Sequence, residues 1–171
     1  RIRALTQIQA HQDIHVGSIG EADIIAAHQD GGATCVQVFF YRAGQNYGTR
    51  TFFPNHARSI PVDEVLEAFI GQFYSDKKPP KLMLVSHALP NQELVLQALS
   101  IRADRKVEIS KPQRGARKSL IDNASLNAAD ALARRLSESA TQRKLLDGVA
   151  GLFDLDTPPK RIEVYDNSHI S

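Results

Sequence analysis

Ala22-Asp-Ile-Ile-Ala-Ala-His28, Thr34-Cys-Val-Gln-Val-Phe-Phe-Tyr-Arg42 and Tyr47-Gly-Thr-Arg-Thr-Phe-Phe53 are the stretch of sequence that decides the fold. These three apolar and aromatic runs are separated by Gln29-Asp30-Gly31-Gly32 and by Ala43-Gly44-Gln45-Asn46. Asp-Gly and Gly-Gly between apolar runs are strong hairpin signals, because the tight turn needs positive φ. The spacing predicts strands over 22–28, 34–42 and 47–53, a meander that Pro54 stops. Phe39, Phe40, Tyr41, Tyr47, Phe52 and Phe53 alternate along the second and third strands. One face must be core, and Tyr47, directly after a turn, is the candidate for an exposed aromatic able to stack or dock.

Downstream the period changes. Asp63 and Glu64 follow Pro61, and Val65, Leu66, Phe69, Ile70 and Phe73 have helical spacing to about Tyr74. Residues 81–86 read as a short strand, 90–100 as a helix, 106–110 as a strand, and 119–153 as a long helix with a break near Gly148-Val-Ala-Gly151. The order is β-β-β-α-β-α-β-α: a meander feeding two crossovers, hence an α/β (α+β) mixed sheet with helices on its faces. That is the ribonuclease-H-like order. Ile2, Leu5 and Ile8 at three-residue spacing give a helical N-terminal tail, and Thr157-Pro-Pro-Lys160 is a linker. A last strand follows, Arg161-Ile-Glu-Val-Tyr-Asp166-Asn-Ser-His169-Ile-Ser171. A carboxylate such as Asp166 in a strand needs a partner charge, a metal or a local turn bond to offset its desolvation.

Composition narrows the function classes. The 171 residues are 42% hydrophobic with a formal net charge of +2, enough for a core and too little to prove a polyanion partner. A single cysteine, Cys35, excludes a disulfide or a zinc set and fits a reducing, cytoplasmic setting. No stretch approaches the roughly 20 apolar residues of a membrane span. Arg1-Ile-Arg-Ala-Leu5 is not a signal peptide, and both ends read as cut from a longer protein.

The runs Asp30-Gly-Gly-Ala-Thr-Cys-Val-Gln-Val-Phe-Phe-Tyr-Arg42, Gly44-Gln-Asn-Tyr-Gly-Thr-Arg50, Phe52-Phe-Pro54, Phe69-Ile-Gly-Gln-Phe-Tyr74, Lys111-Pro-Gln-Arg-Gly115 and Ile162-Glu-Val-Tyr-Asp-Asn-Ser-His169 resemble, in one collinear order, the middle region of the UvrC family. That family supplies the incising subunit of the bacterial UvrABC nucleotide excision repair nuclease. The resemblance implies three parts: residues 1–14 as the tail of a UVR helical hairpin, 15–156 as a ribonuclease-H-like middle domain, and 157–171 as a linker and the first strand of a following nuclease domain. It implies UvrB, damaged double-stranded DNA and other UvrC domains as partners, and no membrane. Asp166 would be the first metal-binding carboxylate of the following domain and His169 a member of its motif. Mg or Mn would serve the parent nuclease, and no cofactor is expected in this part of it.

A two-metal nuclease site needs several carboxylates converging on two cations roughly 4 Å apart. The body offers Asp23 at the start of the first strand and Glu64 and Glu67 on the first helix, while Leu82-Met-Leu-Val-Ser-His87 has no carboxylate. The set is incomplete, which favours a silent scaffold. A metal nuclease, using either His87, Asp23 and a helix Glu or Asp166 in an assembled site, is the alternative, and a protein-interaction module without DNA contact is another. Ser86 and His87, as strand neighbours, are expected to point to opposite faces and so not to act as nucleophile and base. Gly31-Gly32 and Lys111–Gly115 lack P-loop spacing. From Arg102 to Lys118 seven cations oppose two acids, Asp104 and Glu108. Arg105, Lys106, Lys111, Arg114, Arg117 and Lys118 are the candidate DNA-backbone contacts, because Arg forks suit phosphate oxygens and read no sequence.

Overall fold

The structure is a computed structural model that describes residues 20–163. The helix expected over residues 1–12, and the closing strand from residue 164 onward with Asp166 and His169, lie outside the described residues. Contacts divide the chain into two compact units, with the division after Leu132.

In the first unit the meander is present, with strands slightly longer than the sequence predicts: β1 (Glu21–Asp30), β2 (Ala33–Arg42) and β3 (Gln45–Phe52). Both turns are two residues long with positive φ throughout, at Gly31 and Gly32 and again at Ala43 and Gly44. This is the primed-turn geometry that keeps a twisted hairpin in register. Gly32 has a second reason to lack a side chain, since a Cβ there would meet Arg58 at 2.8 Å. Helix α1 (Val62–Phe73) then leads to β4 (Leu82–Val85), helix α2 (Gln92–Ala103) to β5 (Glu108–Ser110), and helix α3 spans Gly115–Leu152.

The sheet order is β3-β2-β1-β4-β5, antiparallel through the meander and parallel from β1 to β4 to β5. This is the mixed sheet expected from the element order. Alternation along the strands feeds two cores. Ile25, Val36, Val38, Met83, Val85 and Ile109 join Leu66, Ile70 and Phe73 of α1 and Leu99 and Ala103 of α2. On the other face Ala22, Ile24, Ala26, Phe39, Tyr41 and Leu84 join Leu120, Ile121 and Ala124 of α3. Cys35 is fully buried. Phe52 and Phe69 pack around Phe73 with ring centroids 5.4 Å away in each case, so the aromatics are core, while Tyr47 is 73% exposed.

Two boundaries differ from expectation. Helix α3 begins four residues earlier than the apolar spacing suggests, so Gly115, Arg117 and Lys118 belong to its first turns. In the second unit it runs unbroken through Gly148. A helical glycine costs about 1 kcal/mol relative to alanine, which weakens a helix without ending one. The end comes at Phe153 and Asp154, where Asp154 takes φ 52° and the Leu155 N–H returns to the Ala150 carbonyl at 2.9 Å.

The N-terminal end of β1 carries a buried ion network. Asp23 is 2% exposed; its Oδ2 accepts from Tyr74 Oη at 2.6 Å and its Oδ1 from Arg42 Nη1 at 2.8 Å. Glu21 accepts from Arg105 Nη2 at 2.9 Å, and the same guanidinium donates to the Pro79 carbonyl. One end of the strand is thereby tied to β2, to the end of α1 and to the loops before β4 and β5.

Burial pushes the Asp23 carboxyl above its ordinary 3.8, against the lowering by Tyr74 and Arg42. The folded chain therefore holds that proton more tightly than the unfolded chain. The group's contribution to stability is fullest below pH 3.8 and is lost as pH rises through the folded value. Urea titrations across pH should show the wild type losing stability relative to Asp23→Asn as pH rises above 3.8; the opposite trend contradicts this account. Tyr74→Phe should cost about 1–3 kcal/mol at neutral pH, because it strips a donor from a buried carboxylate.

Candidate nucleic-acid interface

Parallel register places the chemistry at the other end of the sheet. Ile25 pairs with Val85, and Leu84 with Ser110. One step past the last pairs the same register sets Ala26 of β1 opposite Ser86 and Val85 opposite Lys111, with His87 two residues beyond Val85. The loop after β4 turns to α2 on one face, and the loop after β5 turns to α3 on the other. In open α/β sheets ligands settle in the crevice where successive connections diverge in this way. His87 and Lys111 sit at that crevice.

Strand β4 ends at Val85, so Ser86 and His87 lie in the bend beyond it and are not constrained to opposite faces. The sequence reading is corrected here: Ser86 Oγ lies 2.8 Å from His87 Nδ1. The same Oγ accepts the Ala27 N–H at 2.9 Å, capping a ladder position that β4 is too short to fill. Donation from the Ser86 hydroxyl to Nδ1 gives that hydroxyl proton a partner within the pair. In that tautomer the imidazole proton is on Nε2. Serine is held as a cap, and among the described residues no hydrogen bond ties Nε2 to a carboxylate, so the pair lacks the orienting third group of a nucleophilic triad. Burial of half the ring pushes the His87 pKa below 6.5, Lys111 lowers it further, Asp63 raises it, and His28 lowers it slightly.

The carboxylates considered as metal ligands are engaged elsewhere. Asp23 is bound to Tyr74 and Arg42, four residues along the sheet from the crevice, about 13 Å at strand rise. Glu67 accepts the Asn91 N–H at 2.6 Å and Asn91 Nδ2 at 2.9 Å, joining α1 to the start of α2. A carboxylate at a helix N-terminus gains from the dipole as well. Glu64 is exposed. Among the described residues no three His, Cys, Asp or Glu side chains converge on one point. The described residues do not fit a two-metal centre.

Strand β5 divides the basic segment. Arg105 lies at the N-terminal end of the sheet, committed to Glu21 and Pro79, with exposed Lys106 beside it. Lys111 and Arg114 are exposed at the opposite end, and Arg117 and Lys118 follow in the first turns of α3. Lys118 is ion-paired with Asp122, and no acid occupies the first turn of the helix. Cations at a helix N-terminus oppose the dipole and cost roughly 0.3–1 kcal/mol each. Their convergence with the helix's free N–H groups concentrates positive potential where an anion would relieve it. The placement of Arg117 and Lys118 on the helix is invisible to apolar periodicity, since the first buried residues of α3 are Leu120 and Ile121. Gly115, with φ 76°, was the available signal.

Residues 21–135 match the family model described as the UvrC Ribonuclease H-like domain. The chain is 56% identical to UvrABC system protein C of Rhodospirillum rubrum, covering 100% of this chain and 27% of that protein. It is 55% identical to the proteins of the same name from Cereibacter sphaeroides and Paramagnetospirillum magneticum, each over 99% of this chain and 27% of theirs. The chain therefore spans about a quarter of the length of these curated relatives.

Lys111→Gln should raise the His87 pKa toward 6.5 and Asp63→Asn should lower it, read from the imidazole resonances in a nuclear magnetic resonance pH titration. An unmoved His87 pKa in both variants would contradict the placement of these charges about the ring.

Proposed function

Because the chain belongs to the UvrC ribonuclease H-like domain family, we propose that it is a non-cleaving domain that holds the DNA backbone within a bacterial nucleotide excision repair nuclease. The observation that carries this reading is the cationic start of α3. Arg114, Arg117 and Lys118, with Lys111 before them, crowd a helix terminus that would be more stable with acids. Phosphate oxygens are the ligand that turns that cost into binding, and backbone contact without base readout suits lesions that occur in any sequence. The engaged carboxylates Asp23 and Glu67 support retention without cleavage.

In this reading the Mg or Mn chemistry belongs to an adjoining nuclease segment that Asp166 and His169 begin. UvrB and the other domains of the same protein are the protein partners, and the cytoplasm is the site of action. No described helix is long and apolar enough to cross a membrane. A second reading, a protein-docking module without DNA contact, draws on apolar exposure in the second unit at Leu152, Phe153, Leu155 and Ile162.

Binding of duplex DNA to the full chain, followed by fluorescence anisotropy across salt, separates the two readings. Arg114→Ala/Arg117→Ala/Lys118→Ala should weaken binding and lower the salt slope by about two to three counterions. Unchanged affinity and slope would move the function to protein docking.

A further inference from the structure

We propose that the crevice at the C-terminal ends of β4 and β5 is a phosphodiester-binding site in which His87 donates from Nε2 and Lys111 supplies the charge. The inference rests on the DNA-binding reading and goes beyond it, because His87 lies outside the basic segment. Three features converge on it. The hydrogen-bond chain from Ala27 N–H to Ser86 Oγ to His87 Nδ1 holds the ring and, in the tautomer with the Ser86 hydroxyl donating, leaves Nε2–H unused by Ser86. A rotamer locked by such support binds with little further loss of entropy.

Lys111, one residue past Ser110 on the strand that pairs with β4, lies close enough for its charge to act on the His87 ring. The divergence of the two loops toward opposite faces opens the crevice between them. A donor and an ammonium with the single acid Asp63 near them suit a singly charged phosphodiester better than a metal ion, which needs several converging carboxylates. Asp63, in the first turn of α1, is the opposing charge near the ring, and His28, exposed on β1, is the other titratable group there. Asp63 sets the sign of a discriminating variant.

The test uses the full chain and a short blunt duplex, with affinity read by anisotropy and the histidine ring followed by 1H–15N resonance. His87→Ala should weaken binding ~10- to 100-fold, as for loss of one hydrogen bond to a charged group, and His87→Gln, which keeps a donor, should recover part of it. Lys111→Ala should weaken binding and lower the salt slope by about one, while Asp63→Asn should tighten it. In the wild type the His87 Nε2 resonance should shift on addition of duplex, a change that a purely structural role would not produce. If Lys111→Ala and the α3 variants weaken binding while His87→Ala and its resonance are unaffected, the crevice site is overturned and the DNA reading stands. If the wild-type chain does not bind duplex at low salt, both fall.

Discussion

A buried carboxylate has to be matched by donors, and Asp23 meets that requirement with Tyr74 and Arg42. This pairing joins β1 to the end of α1, and Arg42 also donates to the Ala22 and Tyr41 carbonyls at the end of the meander. Arg105 and Glu21 extend the tie to the loops before β4 and β5. At the other end of the sheet β4 runs out into Ser86 and His87 and β5 into Lys111. The same interaction engages both oxygens of Asp23.

The two ends of the sheet divide the labour. At the N-terminal end opposite charges neutralise one another: Glu21 with Arg42 and Arg105, and Asp23 with Arg42. At the C-terminal end cations accumulate with few acids against them. Lys118 has Asp122, and Asp63 stands near His87. Internal neutralisation raises rigidity, and unopposed charge invites an external anion. The proposed hold on the DNA backbone draws on both.

Much of the fold was legible because its signals are local. Asp30-Gly31-Gly32 and Ala43-Gly44 force positive φ within two residues, so the hairpins follow from the sequence alone. The crossovers follow from the switch to helical spacing at Val65 and Leu66. Residues 1–19 and the Asp166 strand beyond residue 163 stand outside the described part. The misreadings arose where the outcome depends on distant partners or exact ends. Tyr74 is 51 residues from Asp23, and nothing in either neighbourhood announces the bond. Glu67 reads as a free helix acid until Asn91 arrives from the next element. The Ser86–His87 contact turned on where β4 stops, a matter of one residue. The basic segment looked continuous because β5 is only three residues long, yet those three residues separate Arg105 from Lys111.

The central claim is that this domain holds the DNA backbone without cutting it. The most direct measurement incubates the full chain with lesion-bearing and nicked duplex DNA in Mg2+ and then in Mn2+, scoring retention and strand scission together. The account predicts duplex retained at low salt and intact in both metals. Scission that Asp23→Ala abolishes would contradict it.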